Sequence, residues 1–170
     1  MVARVFVMNA LLDQISRCQD DHDVPLVLAD FLVEKRGFGR GELTIRDAIQ
    51  TEFNGESVTS KIAIVIRLQG KPVLMIRYGP GSIVTRERSA LAAARVYDMQ
   101  WRVPIVVVTN SREAKVIDTT TGQVLGEGFA SLPSRDDLRA MMAELVFEPY
   151  GDAEKIDREK RVLNVFDVNL

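Results

Sequence analysis

Residues 60–81, SKIAIVIRLQGKPVLMIRYGPG, are the stretch that decides how this chain folds. Two apolar runs, residues 62–66 and 72–76, flank the turn-forming sequence Gln69-Gly70-Lys71, and this pattern predicts a β-hairpin. A glycine-rich break, Gly79-Pro80-Gly81, follows the second strand. The segment is therefore predicted to be a hairpin of two apolar strands that ends in a loop.

The segments around the hairpin are predicted from periodicity and turn residues. Apolar residues at helical spacing predict a helix within residues 5–15, and Pro25 suits the first turn of a second helix, residues 26–36. Residues 43–53 fit either an interrupted strand or a short helix. After the glycine-rich loop, residues 85–101 form the longest predicted helix, and its alanine run permits close approach to a sheet.

Further strands and a helix are predicted towards the C-terminus. Residues 103–109 are a continuous apolar run, typical of a strand that is buried on both faces, and residues 114–118 continue as another strand. Ser134 is a good N-cap for a helix because Asp137 follows three residues later. We expect one domain over residues 1–150, followed in residues 151–170 by a charged segment and an apolar tail.

The amino-acid composition limits the classes of function that this chain can have. The chain has 170 residues, of which 46% are hydrophobic and 27% are charged, and these are ordinary globular values. A net charge of −2 gives no global attraction to nucleic acid or to an anionic membrane. Cys18 is the single cysteine, which excludes a Cys-based zinc site or a disulfide within one chain. No apolar run approaches the ~20 residues of a membrane span, so the chain is predicted to be cytoplasmic and not membrane-bound.

The hairpin resembles the active-site hairpin of the PD-(D/E)xK nucleases, most closely that of the N-terminal domain of type I restriction enzyme R proteins. That family has an Asp in the first strand, a Gly-Lys-Pro turn, and a second strand that ends in Glu-x-Lys. The turn is present here as Gly70-Lys71-Pro72, and Thr109-Asn110 matches the end of the next strand. Tyr97 matches a Tyr on the intervening helix, although Ala93 stands where the family has Gln.

The resemblance covers about residues 26–118 and implies a fold. It implies an α/β restriction-endonuclease-like αβββαβ core, with a mixed sheet flanked by helices and a strand at residues 43–53. The hairpin strands should pair antiparallel, and residues 103–109 should lie parallel to the second hairpin strand.

The family's active-site residues are absent. The Asp position falls on Ala63, the Glu position on Arg77 and the Lys position on Gly79. In such nucleases the two carboxylates hold Mg²⁺, a hard cation that needs oxygen ligands. Arg77 instead places a permanent positive charge there. We therefore expect no catalytic residues, no metal site and no cofactor, and a nuclease-like domain that does not cleave.

A domain of this kind that does not cleave would still be able to bind a partner. Four arginines on the hairpin and its following helix form a local basic face that is predicted to bind nucleic acid or another anion: Arg77, Arg86, Arg88 and Arg95. A solvated helix face with ion pairs explains them equally well, and Arg77 would then pair with Glu52 or Glu56. The predicted partners are DNA, or a protein that binds the apolar C-terminal tail, and self-association is left open.

Two other functions fit parts of the sequence. An active metal-dependent endonuclease would need relocated acids, such as Glu52 or Glu56 with Lys61, and would then use Mg²⁺. The order strand, Gly79-x-Gly81 loop, helix and parallel strand also fits a nucleotide-binding βαβ unit, although Val84 occupies the place of the third glycine.

Overall fold

The computed structural model of the protein describes residues 2–18, 20–110 and 112–168. Within these residues the chain forms five α-helices, six strands and two short 3-10 helices, Arg40–Glu42 and Phe129–Ser131. The α-helices and strands, in chain order, are α1 (Val2–Arg17), α2 (Val24–Arg36), β1 (Leu43–Phe53), β2 (Glu56–Leu68), β3 (Lys71–Tyr78), α3 (Val84–Val96), β4 (Ile105–Thr109), β5 (Ala114–Asp118), β6 (Val124–Glu127), α4 (Arg135–Met141) and α5 (Ala153–Asp167).

The six strands form one mixed sheet in the order β1-β2-β3-β4-β5-β6. Strand β3 pairs parallel with β4, with Ile76 opposite Val107, and the other neighbouring strands pair antiparallel. The parallel pair requires a crossover, and α3 supplies it. The element order α2, β1, β2, β3, α3, β4 confirms the predicted αβββαβ core, and residues 43–53 are a strand.

Two tight turns set the register of the first three strands. Asn54 and Gly55 join β1 to β2, and Gln69 and Gly70 join β2 to β3. All four residues have positive φ, 52° and 78° in each turn, which is the requirement of the hairpin turn that matches strand twist. Glycine meets this requirement without steric cost, so the second position of each turn is a glycine.

The sheet is covered on both faces. Successive residues of β3 illustrate this, because Ile76 packs with α1 and α2 on one face, and Met75 packs with α3 on the other. Four fully buried alanines of α3 let that helix lie close to the sheet, as predicted: Ala90, Ala92, Ala93 and Ala94. Helix α5 packs beside α3 on the same face and also contacts β1 and β2.

Three predicted boundaries need correction or refinement. Helix α3 ends at Val96 rather than at residue 101, because the chain must turn back to enter the sheet, and Val103 N donates to Ala94 O at 2.9 Å to close this turn. Strand β4 starts at Ile105, after Pro104, which has no N–H to donate. Most of the charged segment and of the apolar residues that follow it lie together in one continuous helix, residues 153–167. Among the described helices, none is both long and apolar enough to cross a membrane.

Candidate functional site

The candidate site lies where the pairing between β2 and β3 ends, in the middle of β2 and near the C-terminal end of β3, beneath α3 and α5. Ile64 and Ile76 are the last paired residues at this end of the hairpin, and Ala63 and Arg77 each follow one residue further on. In the nucleases that the hairpin resembles, these two positions carry the Asp and the Glu. Here Ala63 packs in the apolar cluster beside α1 and α2, whereas Arg77 bonds to Ser89 and Asp167 on the face covered by α3 and α5. Ala63 is buried, and its methyl side chain offers no ligand atom. Of these two residues, Arg77 is therefore the one whose side chain can make polar contacts.

Arg77 is buried and held by four hydrogen bonds. Its Nε donates to Lys61 O at 3.1 Å, and its Nη1 donates to Ser89 O at 3.2 Å and to Ser89 Oγ at 3.3 Å. Its Nη2 donates to Asp167 Oδ2 at 3.0 Å, in an ion pair whose side chains are 9% and 1% exposed. Burial lowers the pKa of Arg77, whereas the charge of Asp167 and its hydrogen bond raise that pKa. A guanidinium remains protonated in such a site, so the position stays cationic.

A second arginine occupies the space of the missing lysine. A Cβ atom at Gly79 would overlap the guanidinium of Arg86, which lies over the backbone there. Arg86 Nε donates to Pro80 O at 3.0 Å, which ties the side chain to the loop after β3. Glycine at position 79 is thus required for Arg86 to lie where it does, and a positive charge remains near the lysine position.

Arg88 and Arg95 of α3 share one carboxylate of α5. Arg95 Nη1 lies 3.1 Å from Glu159 Oε1, and Arg88 Nη1 lies 2.5 Å from Glu159 Oε2. Arg95 is buried, donates from Nε to Thr119 O at 2.8 Å, and stacks its guanidinium 4.1 Å from the centre of the Tyr150 ring. Arg88 is 43% exposed and is open to solvent on one side. The four predicted arginines are thus gathered on α3 and its neighbouring strand, but two of them are buried.

The acid that pairs with Arg77 is Asp167, not Glu52 or Glu56. Glu52 and Glu56 are exposed and flank the Asn54-Gly55 turn. Within the described parts of the chain, no group of three or more His, Cys, Asp or Glu side chains is placed to hold a metal ion.

A small cleft of about 140 Å³ opens between α3 and α5 beside the ion pair. It is lined by Thr85, Arg86, Ser89, Phe166 and Asp167. Asp167 Oδ1 is buried and has no hydrogen-bond partner among the described residues, although Oδ2 pairs with Arg77. A buried carboxylate oxygen without a donor is costly, and it marks this cleft as polar and incompletely satisfied.

A larger cleft of about 600 Å³ lies beside the loop after β3, next to α1 and α2. The backbone of the Gly79-Pro80-Gly81 loop is used for internal contacts, because Asn110 Nδ2 donates to Gly81 O at 2.7 Å. Tyr78 OH donates to Asp21 Oδ1 at 3.0 Å, and burial, with help from that carboxylate, raises the pKa of Tyr78 to about 12. The phenol is therefore neutral, and the polar groups named here bond to one another.

Sequence reasoning located Arg77, Arg86, Arg88 and Arg95 but did not identify the side chains that hold them. Glu159 and Asp167 come from α5, 64 and 90 residues along the chain from their partners Arg95 and Arg77. One signal was present: Glu159, Leu163 and Asp167 are spaced by four residues and so share one face of a helix. That spacing predicts a face with two acids and one leucine, although it does not name the surface on which the face packs.

Comparison with known proteins agrees with this geometry. The family model described as type I restriction enzyme R protein N terminus matches residues 26–133. No curated protein and no solved structure matches the chain. The matched residues run from α2 to just before α4 and include Ala63, Arg77 and Gly79, whereas α5 lies outside them. Because the match covers more than half of the chain, the protein belongs to the family of type I restriction enzyme R protein N-terminal domains.

Proposed function

We propose that this protein is a nuclease-like domain that does not cleave and that binds nucleic acid through the arginine face of β3 and α3. The observation that carries the proposal is Arg77, a buried guanidinium at the position where the related nucleases carry a carboxylate. Arg86, which lies over Gly79, adds a second positive charge beside it. A site of this kind attracts phosphate and repels metal ions.

The loss of cleavage follows from electrostatics. Mg²⁺ takes oxygen ligands, usually one or two carboxylates, and Ala63 and Arg77 supply none. Asp167, which lies against Arg77, is already engaged by that guanidinium at 3.0 Å. A fixed cation ~4–5 Å from Mg²⁺ would cost several kcal/mol at an effective dielectric constant near 20.

The positive charges that disfavour a metal ion would favour the binding of phosphate. Arginine presents a planar set of donors that matches phosphate oxygens, and each phosphate contact releases counterions from nucleic acid. Arg88 is 43% exposed and Arg86 is partly exposed, so both are accessible from solvent, and Arg86 also lines the cleft between α3 and α5. The net charge of −2 makes such binding a local property of this face rather than of the whole protein.

A cleavage assay tests the first half of the proposal. We expect no nicking of supercoiled DNA and no cutting of linear DNA with Mg²⁺ or Mn²⁺, because the site lacks a pair of free carboxylates. Metal-dependent nicking that is lost in Glu52→Gln or Glu56→Gln would establish instead an active endonuclease with relocated acids. Nicking that persists in both variants would indicate a contaminating nuclease, and repurification would then precede any conclusion.

A binding assay tests the second half. We expect weak binding of a labelled DNA duplex at ~50 mM salt that falls steeply as salt rises. Arg86→Ala and Arg88→Ala should each weaken it and reduce the salt dependence by about one phosphate contact. Arg17→Ala is the matched control, because Arg17 is an exposed arginine on α1, which packs on the other face of the sheet. An equal loss in Arg17→Ala, or no binding at ~50 mM salt, would contradict the proposal.

A protein partner is the second candidate, and one observation favours it. At the C-terminal end of α5, Val165, Phe166 and Val168 are 73%, 46% and 50% exposed, which leaves neighbouring apolar side chains in solvent. Self-association through this surface would appear as a concentration-dependent mass in light scattering. Phe166→Ser should abolish that dependence, and a mass that stays monomeric at all concentrations would exclude self-association.

A further inference from the structure

Helix α5 is held to the rest of the protein mainly by polar contacts. Four residues on its inward face are buried, and only Leu163 among them is apolar. The other three each have a polar partner on the domain: Glu159 with Arg88 and Arg95, Asn164 with Thr51, and Asp167 with Arg77. Val162 packs beside Leu163 on the apolar cluster, but most of the buried side chains of this interface are polar, which makes it specific.

The acids of α5 lie on the arginines that the proposed function needs. Asp167 takes the Nη2 donor of Arg77, and Glu159 takes donors of Arg88 and Arg95. A carboxylate and a phosphate use the same arginine donors, with oxygen acceptors at similar distances. Helix α5 also lies outside residues 26–133, so the family match does not include these acids.

The cleft beside Asp167 has room for a polar group, and one oxygen of that carboxylate lacks a donor in the part of the chain that the structure describes. Asp167 borders a space of about 140 Å³ with Arg86 and Thr85 on its walls, and its buried Oδ1 has no hydrogen-bond partner among the described residues. The carboxylate therefore satisfies Arg77 through Oδ2, while its other oxygen stays without a donor among the described residues. A phosphate group has more acceptor oxygens than a carboxylate, and it could use Arg86 together with Arg77.

We propose that Asp167 occupies a phosphate-binding site, so that docking of α5 and binding of a nucleic-acid phosphate at Arg77 exclude each other. The inference rests on the proposed function, and it adds that α5 regulates the binding site from within the chain. The apparent affinity for DNA is then reduced by the small fraction of molecules in which the end of α5 is undocked. Weak binding by the unmodified protein follows directly.

Two variants of the full chain test this competition. Asp167→Asn removes the charge that holds Arg77, whereas Asp157→Asn removes the same charge from the same helix at a half-exposed position paired with Arg161. Asp167→Asn should bind the labelled DNA duplex about tenfold more tightly, within the usual range of coupling between two sites. It should also speed hydrogen exchange in the last turns of α5 without ligand. Asp157→Asn should do neither.

A double variant guards against indirect effects on folding. Arg77→Met combined with Asp167→Asn removes the buried guanidinium and the carboxylate's charge together, which avoids an unpaired buried charge. Its urea unfolding should stay cooperative, and the affinity gained in Asp167→Asn should disappear. A gain that persists without Arg77 would overturn the assignment of the phosphate to this site.

The remaining outcomes separate this inference from the function on which it rests. If unmodified protein and Asp167→Asn bind DNA equally, and DNA leaves hydrogen exchange in α5 unchanged, the competition is refuted and the binding function stands. If no variant binds DNA at ~50 mM salt, both fail. Inorganic phosphate at the same concentration of phosphate groups is the comparison ligand, and an equal thermal shift with it would overturn the assignment to nucleic acid.

Discussion

The central hairpin and helix α5 are held in place by opposite means. In β2 and β3, residues such as Ile64, Val65 and Ile76 are fully buried and pack on other apolar side chains. The inward face of α5 buries two acids and an amide around a single leucine. Apolar packing is non-directional and tolerates change at particular positions, whereas an ion pair depends on both partners.

This difference explains how the chain can keep the family's fold with other residues at the positions where the nucleases that the hairpin resembles carry Asp, Glu and Lys. The apolar strands need neither the Asp, the Glu nor the Lys, so the sheet forms with Ala63, Arg77 and Gly79 in their places. Arg77, once buried, requires an anion, and α5 supplies Asp167. The helix thus compensates the charge change made in the sheet.

The largest expected effect comes from breaking that compensation. Arg77→Met should lower the free energy of unfolding by about 3–5 kcal/mol, because it leaves Asp167 buried without its partner. Arg77→Met with Asp167→Leu should recover most of this loss, since a buried pair replaced by apolar residues is often nearly neutral. Urea unfolding measures both values.

An exposed pair on the same helix provides the control for this comparison. Arg158 and Glu154 are 62% and 76% exposed, so Arg158→Met should leave the free energy of unfolding nearly unchanged. A double variant at Arg77 and Asp167 that is as unstable as Arg77→Met alone would show that Asp167 does not depend on Arg77. The ion pair would then not be what holds α5 on the sheet.

A smaller effect is expected where α5 meets β1. Thr51 Oγ1 donates to Asn164 Oδ1 at 3.1 Å, and both residues are buried. Thr51→Val keeps the shape but removes the donor, so it should lower the free energy of unfolding by about 1–3 kcal/mol. Thr51→Ser retains the hydroxyl and is the matched control. A Thr51→Val variant as stable as the unmodified protein, or one that loses no more than Thr51→Ser, would show that the hydrogen bond is not what stabilises this contact.

Much of the fold could be predicted from the sequence because it depends on local patterns. The turn residues Asn54-Gly55 and Gln69-Gly70 and the apolar runs beside them define the hairpins, and the structure has strands at these places. Residues 43–53 were ambiguous by periodicity alone, and pairing with β2 makes them a strand. The end of α3 was overestimated because the turn back to β4 depends on tertiary contacts.

The candidate site was predictable only in part. Ala63, Arg77 and Gly79 could be placed from their spacing in the hairpin, since hairpin register is a local property. The partners of Arg77 and Arg95 could not be placed, because they come from a helix at the other end of the chain. The apolar residues near the C-terminus suggested an apolar contact, but helical geometry exposes Val165 and Phe166 and buries Asn164 and Asp167.

The smallest expected effect concerns Tyr97, at the end of α3. Its OH donates to Asp47 Oδ2 at 2.6 Å and accepts from Arg67 Nη2 at 3.0 Å. Burial raises the pKa of Tyr97 to about 12, and the hydrogen bond to Asp47 and its charge add to this rise. The folded protein therefore favours the neutral phenol more than the unfolded chain does, where the pKa is about 10.

The sign of the pH dependence follows from linkage. Because the folded pKa is the higher one, the contribution of Tyr97 is fully present below pH ~10 and is lost as pH rises from ~10 to about 12. The difference in unfolding free energy between the unmodified protein and Tyr97→Phe should thus be constant from pH ~7 to ~9 and shrink above pH ~10. Urea unfolding at a series of pH values measures it. A difference that stays constant throughout would mean that the pKa of Tyr97 is the same in the folded and unfolded chains.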